Sequence, residues 1–168
     1  MKKLHFLFEK AKKSNFYKWL LNRVLWKVVP FNNSHKLRIV KVADDEIKIE
    51  APYIKNNKNH LNGLHACVLA TLCEYTIGLN LMLHIDPKKY RLIMKSIKME
   101  YHFQAKGSVI AKWGINMQEI DEMLNQLDTE GLLLKTFIIQ LNDLENNHIC
   151  TGNVEWQIKE WKQVKTTL

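Results

Sequence analysis

The chain has 168 residues, 46% hydrophobic and 25% charged, with six glycines and three prolines. This is the make-up of one folded domain with its own core, and it excludes collagen-like, low-complexity and broadly disordered chains. The net charge of +8 is uneven, since residues 1–41 hold eleven Lys/Arg against one acid, Glu9, while residues 42–168 hold fourteen against sixteen. A near-neutral body argues against a nucleic-acid partner, which needs a basic face with groove-reading or stacking elements. The basic N-terminus leaves room for a local contact with anionic groups such as phospholipid.

The three cysteines, Cys67, Cys73 and Cys150, are odd in number and lack both a CxxC pattern and a partnered histidine set. Neither a disulfide framework nor a metal site is expected, and nothing marks a cofactor. Met1-Lys-Lys-Leu-His-Phe is a basic opening, but Glu9, Lys10, Lys12 and Lys13 break the apolar run of a signal peptide. A reduced, cytoplasmic protein is expected, at most peripheral to the inner membrane face.

From Phe16 to Val29 apolar residues recur at Leu20, Val24 and Val28 and at Leu21 and Leu25, while Lys18, Asn22, Arg23 and Lys27 fall largely outside that stripe. The spacing predicts a basic amphipathic helix ended by Pro30, so that residues 1–30 form an N-terminal helical segment and 31–168 the main domain. Packing of the apolar stripe on the domain is one reading. A peripheral membrane contact through residues 16–29, with Trp19 and Trp26 at the interface, is the other.

Leu37–Val42 and Ile47–Ile49 are β-leaning runs around Ala43-Asp44-Asp45-Glu46, a predicted hairpin turn. The Asn-rich stretch KNNKNHLNG after Pro52 is a loop that positions something or merely turns. Leu64–Leu83 is apolar on nearly every side and predicts a buried helix, since His65, Glu74, Asn80 and His84 punctuate what would otherwise read as a membrane span. Alternation then predicts strands over 97–104 and 109–115, and residues 116–130 carry Ile120, Met123, Leu124 and Leu127 at helical spacing, as a short helix or extended turn. Strands over 131–141 and 148–161 complete the chain. The economical fold is α+β: a curved antiparallel sheet wrapped around one central helix.

The chemistry concentrates between Asn59 and Glu74. Gly63 lets the backbone turn into the helix, and first-turn N–H groups such as that of Ala66 have no intrahelical acceptor, which suits them to an oxyanion or thioester carbonyl oxygen. Glu74 is a carboxylate in an apolar helix, expensive unless it is paired, for instance with His84 or His102, or faces a cavity. Burial would raise its pKa toward the range of a base or nucleophile at neutral pH. Nine residues separate Glu74 from His65, roughly 13.5 Å along a helix and about 180° around it. Only a second subunit brings such a pair into one site, which implies a homodimer, or a dimer of dimers, with composite sites.

The pattern Asn59 … Gly63-Leu64-His65-Ala66 … Glu74, followed by strands, resembles the hotdog-fold acyl-CoA thioesterase superfamily. It is most similar to the small bacterial domains of unknown function with an extra N-terminal helix and a Pro-Phe-Asn segment like Pro30-Phe31-Asn32. The resemblance covers roughly residues 30–160 and implies an acyl-CoA or acyl-carrier thioester as substrate. It makes Glu74 the catalytic carboxylate, the Ala66 N–H the carbonyl-polarising donor preceded by His65, and Asn59 the residue that orients the water or carboxylate. Gly63 and Cys67 would border the substrate. Where the family commonly has two glycines after the histidine, Ala66 and Cys67 stand here, and their side chains are expected to crowd the helix start. The alternative is a non-catalytic hotdog protein that binds acyl-CoA or an acyl carrier. A hydratase of the same fold is disfavoured, because its His-Phe-Pro-type loop and its Pro-Gly helix opening are both missing. Cys67 and Cys73 otherwise read as apolar helix residues and Asn59 as a turn residue.

Overall fold

A computed structural model describes residues 2–165. The N-terminal segment is two helices where the periodicity predicts one: α1 (Lys2–Ala11) precedes α2 (Asn15–Val28), whose N-cap Ser14 accepts a hydrogen bond from Tyr17 N–H. Pro30 does more than end α2. It occupies the first turn of a further helix, α3 (Pro30–His35), where its missing N–H costs nothing. Lys36, at φ 52°, closes that helix in the left-handed region.

Strands β1 (Arg38–Val42) and β2 (Glu46–Ala51) form the predicted hairpin, with Ala43 N–H donating to Glu46 O across the turn. After the Asn-rich loop comes the central helix α4 (Ala66–His84), then β3 (Tyr90–Tyr101), β4 (Val109–Gly114), α5 (Met117–Glu130), β5 (Leu132–Asp143) and β6 (His148–Glu160). β3 begins seven residues before the alternation at Ile97 suggests. It is an edge strand exposed along much of its length, so its first half shows no inside-outside pattern. Residues 116–130 are helix rather than turn: Asn116 caps the start through Glu119 N–H, and Gly131 at φ 68° supplies the left-handed C-cap.

All strand pairs are antiparallel, in the order β1-β2-β4-β5-β6-β3. β5 pairs with β6 over nearly its whole length but meets β4 only near residues 141–143, which lets the sheet curl. α4 lies in the curl, with eleven residues buried, among them Leu69, Leu72, Ile77 and Leu81. Of the described helices α4 alone is long and apolar enough to cross a membrane, but it packs on strands β2, β4 and β6, whose Ile47, Ile49, Val109, Ala111 and Val154 are all buried. This is the hotdog architecture, with the N-terminal helices added to it.

Those helices share the core. Phe8, Ala11, Leu21 and Leu25 are all buried. Leu21→Ala should therefore cost about 2–5 kcal/mol of stability. Trp19→Ala, on the opposite and exposed face of α2, should change it by less than about 0.5 kcal/mol; urea unfolding of both variants checks the contrast.

Candidate active site

The start of α4 is held by the Asn-rich loop, and Asn57 is the residue that holds it. It is fully buried; its Nδ2 donates to His35 O and Pro52 O, its Oδ1 meets His35 Nδ1, and its own carbonyl accepts from His65 N–H at 2.8 Å. One residue, through its side chain and its carbonyl, thus ties α3, the loop and the first cap of α4 together. No sequence signal separates Asn57 from its neighbours Asn56 and Asn59, because the distinction is burial alone.

His65 is the N-cap. Its Nδ1 accepts from Cys67 N–H at 3.1 Å, which places the ring proton on Nε2. His65 O accepts from Val68 and Leu69 N–H. Among the described residues the N–H of Ala66 has no acceptor, so the first turn of α4 keeps one free donor at its positive end. Ala66 and Cys67 are both exposed, so Cys67, read from the sequence as an apolar helix residue, stands outside the buried part of α4. The turn into the helix is made by Asn62, at φ 56°, and not by Gly63. Gly63 is buried, and a Cβ there would lie 2.8 Å from the Gln104 side chain, so close approach is what its position requires.

Asn59 is partly buried, and its Oδ1 accepts from both Leu61 and Gly63 N–H. This Asx-type turn fixes the amide orientation and leaves Nδ2 a donor without a partner among the described residues.

Glu74 lies elsewhere in the subunit. It lines a cavity of about 660 Å³ whose wall also includes Thr71, Gly78, Val28, Phe31, Ile97 and Trp156. Its carboxylate pairs with neither His84 nor His102; among the described residues it has no hydrogen-bond or ion-pair partner, and burial alone pushes its pKa above the usual carboxylate range. Beside it, the Tyr75 hydroxyl bonds the side chain of buried Asn32, and burial together with the Glu74 charge drives its pKa upward. The Cys73 thiol is enclosed against Cys150, and that contact and burial hold it protonated. It is no nucleophile. Gly78 lets the Trp156 indole close the cavity floor, since a Cβ would sit 2.6 Å from the ring. Tyr75 and Trp156 carry no motif, and Asn32, although it closes the Pro30-Phe31-Asn32 segment, has no role assigned by the sequence; all three become visible as part of the site only with the cavity.

Asn59, Gly63, His65, Ala66 and Cys67 are all absent from the cavity wall. Within one chain the Glu74 carboxylate and the free N–H lie apart. Among the described residues no group of three or more His, Cys, Asp or Glu is placed to hold a metal ion.

Fold and site together define a hotdog protein whose central helix carries a carboxylate unpaired among the described residues. Residues 17–158 match the family model described as Domain of unknown function (DUF4442), and the chain belongs to that family. A search of curated proteins finds no match. Among solved structures, a Pseudomonas aeruginosa protein of unknown function described as a probable thioesterase is similar at TM-score 0.77 and 18% identity, over 83% of this chain and 93% of that one. A protein of unknown function from Chlorobaculum tepidum is similar at TM-score 0.73 and 12% identity, over 89% and 98%. A Staphylococcus aureus thioesterase, at TM-score 0.62 and 18% identity over 77% and 98%, was solved as a Gln-to-Ala and as a Glu-to-Ala mutant.

Two consequences are measurable. Asn57→Ala leaves the carbonyls of His35 and Pro52 without a donor and should cost about 1–3 kcal/mol in thermal or urea unfolding. For Glu74 the folded pKa is raised above the unfolded one. The folded state therefore binds the extra proton between the two values, and stability falls as pH rises through that window. Glu74→Gln should match wild type below about pH 4 and be the more stable above the window, as urea midpoints across pH would show.

Proposed function

We propose that the chain is an acyl-thioester hydrolase whose site is completed by a second copy. The observation that carries this is the layout of β3. Its first half, at Ile93, Met94 and Ile97, lines the Glu74 cavity, while Tyr101 at its far end donates to Ala66 O at the start of α4. β3 is the outer strand of the sheet, and Ile93 and Met94 are exposed on it. A long outer strand with unpaired backbone groups is a template for pairing. Antiparallel pairing of β3 with its two-fold mate sets the first half of each strand against the second half of the other. Glu74 of one protomer then faces the helix start of its partner.

The S. aureus structures add support. The Gln and Glu replaced in that chain are fifteen residues apart, the interval between Asn59 and Glu74.

In the composite site the Ala66 N–H receives the thioester carbonyl oxygen. Glu74, its pKa raised by burial, takes a proton from a water as the water oxygen attacks the carbonyl carbon. The negative charge that forms on the carbonyl oxygen is held by the Ala66 N–H and the helix end. Collapse breaks the C–S bond, the proton on Glu74 passes to the departing sulfur, and a carboxylic acid and a thiol leave. Asn59 Nδ2 is a positioning donor for the water or the Glu74 carboxylate. The acyl chain occupies the apolar cavity. A pure binding role is the second reading, and it gains if the exposed Ala66 and Cys67 side chains obstruct the approach of a thioester to the N–H.

Release of free thiol from a panel of acyl-CoAs tests the proposal. Glu74→Gln should lower kcat about 10²–10⁴-fold, with the acidic limb of the wild-type rate profile lying above the ordinary glutamate range. Ala66→Pro deletes only the N–H, at a first-turn position that accepts proline, after a residue already extended at φ −69°, ψ 138°. It should cost about 10²–10³-fold in kcat without loss of thermal stability. Co-expressing the two variants should restore about a quarter of wild-type activity, because half of the dimers formed by random pairing carry one intact site. Equal thiol release by wild type and Glu74→Gln overturns hydrolysis; failure of the mixture to exceed its two components overturns the shared site.

A further inference from the structure

The N-terminal helices bury one side and display the other, and the displayed side has a particular chemistry. On α2, Phe16, Trp19, Arg23 and Lys27 follow one another at spacings of three and four residues, all exposed, opposite buried Leu21 and Leu25. On α1, Lys3, Phe6 and Lys10 form a matching ridge, again exposed. The two ridges join through aromatic contacts. The Phe6 ring meets Tyr17 edge-on at 6.2 Å, Tyr17 meets Phe16 at 5.6 Å, and Phe16 meets Trp19 at 6.0 Å. Phe6 is 51%, Phe16 63% and Trp19 57% exposed, so three large rings face solvent side by side.

The charge around them is of one sign and unspent. Glu9, the lone acid among residues 1–41, is tied to Lys12, which also holds Asp44. Lys3, Lys10, Lys13, Arg23 and Lys27 form no ion pair among the described residues. Lys10 instead lies 5.6 Å above the Phe6 ring. Trp26, which the sequence groups with Trp19, points the other way: its Nε1 donates to Leu37 O at 2.6 Å, inside the fold. Aromatic rings within a rim of unpaired cations match the headgroup boundary of an anionic bilayer, where rings enter the interface and cations meet lipid phosphates.

We propose that the α1–α2 face docks the protein on anionic membrane surfaces, with Phe6, Phe16 and Trp19 entering the interface and the surrounding lysines and Arg23 supplying the electrostatic attraction. A single-stranded nucleic acid would use the same cations and could stack on the rings, but the apolar continuation of the face through exposed Val28 and Phe31 suits a bilayer and has no part in such a complex. Val28 and Phe31, beyond the end of the α2 ridge, are exposed and line the Glu74 cavity. The docked face therefore runs toward the cavity mouth, and on the hydrolase reading above the acyl group would enter from the bilayer side.

Co-sedimentation of the full chain tests this, using vesicles of phosphatidylglycerol and phosphatidylcholine in equal parts, vesicles of phosphatidylcholine alone, and immobilised heparin as a polyanion without an apolar phase. Binding is expected to the anionic vesicles only, and to be lost in about 1 M NaCl, where the screening length falls to about 3 Å. Each of Lys3→Glu, Lys10→Glu and Lys27→Glu should lower partitioning at least about fivefold, the factor equivalent to roughly 1 kcal/mol per basic residue near an anionic surface. The double variant Phe16→Ser with Trp19→Ser should weaken vesicle binding while leaving heparin retention and circular dichroism unchanged. No preference for anionic vesicles overturns the proposal, as does binding that the double variant leaves intact. A change in oligomeric state of the double variant without lipid also overturns it, assigning the face to a second copy. Thiol release from soluble acyl-CoA without vesicles is read in parallel: these variants should not alter it, so docking and hydrolysis can fail separately.

Discussion

Helix α4 is nineteen residues long with eleven of them buried, and covering it is the requirement the rest of the molecule meets. A sheet curled on one side takes Leu69, Leu72, Ile77 and Leu81; the N-terminal helices cover part of the other side with Leu4, Leu25, Val28 and Val29. Between them the cover is incomplete, and the gap is the cavity that Glu74 lines. A carboxylate without a partner is tolerated there because it borders open space rather than packed hydrocarbon, and its pKa rises as the physical consequence.

The same economy shapes the start of the helix. The chain approaches α4 through a loop dense in asparagine, and each asparagine is spent differently. Asn57 is buried and spans three segments, Asn59 folds the loop on itself, and Asn62 takes the left-handed turn. At the helix start itself, among the described residues, the N–H left without an acceptor is that of Ala66. On the hydrolase proposal, the free donor and the free carboxylate, at separate places on one helix, are the two halves of a shared site. β3 supplies the link, since it touches the cavity at one end and the helix start at the other.

Much of this architecture is legible in the chain. The alternation Val154, Trp156, Ile158 and the set Val109, Ala111, Trp113 mark strands whose inward residues are indeed buried, because a half-buried strand must alternate. Glu74 stands out because a carboxylate in an apolar run has to be accounted for. Other elements were illegible for stated reasons. β3 is an edge strand and carries mixed residues on both faces. Pro30 ends one helix and begins another with the same fixed φ, so its presence alone does not say which. Trp19 and Trp26 look equivalent on a helical wheel and are separated only by where α2 rests.

By itself the sequence determined the period of each element and the place of the one expensive charge, since burial pattern and carboxylate desolvation are local in origin. Tertiary packing alone decided which asparagine is structural, which tryptophan faces water, and that Glu74 opens into a cavity apart from the helix start. Those outcomes depend on what lies across the space from a residue, and no spacing along the chain records it.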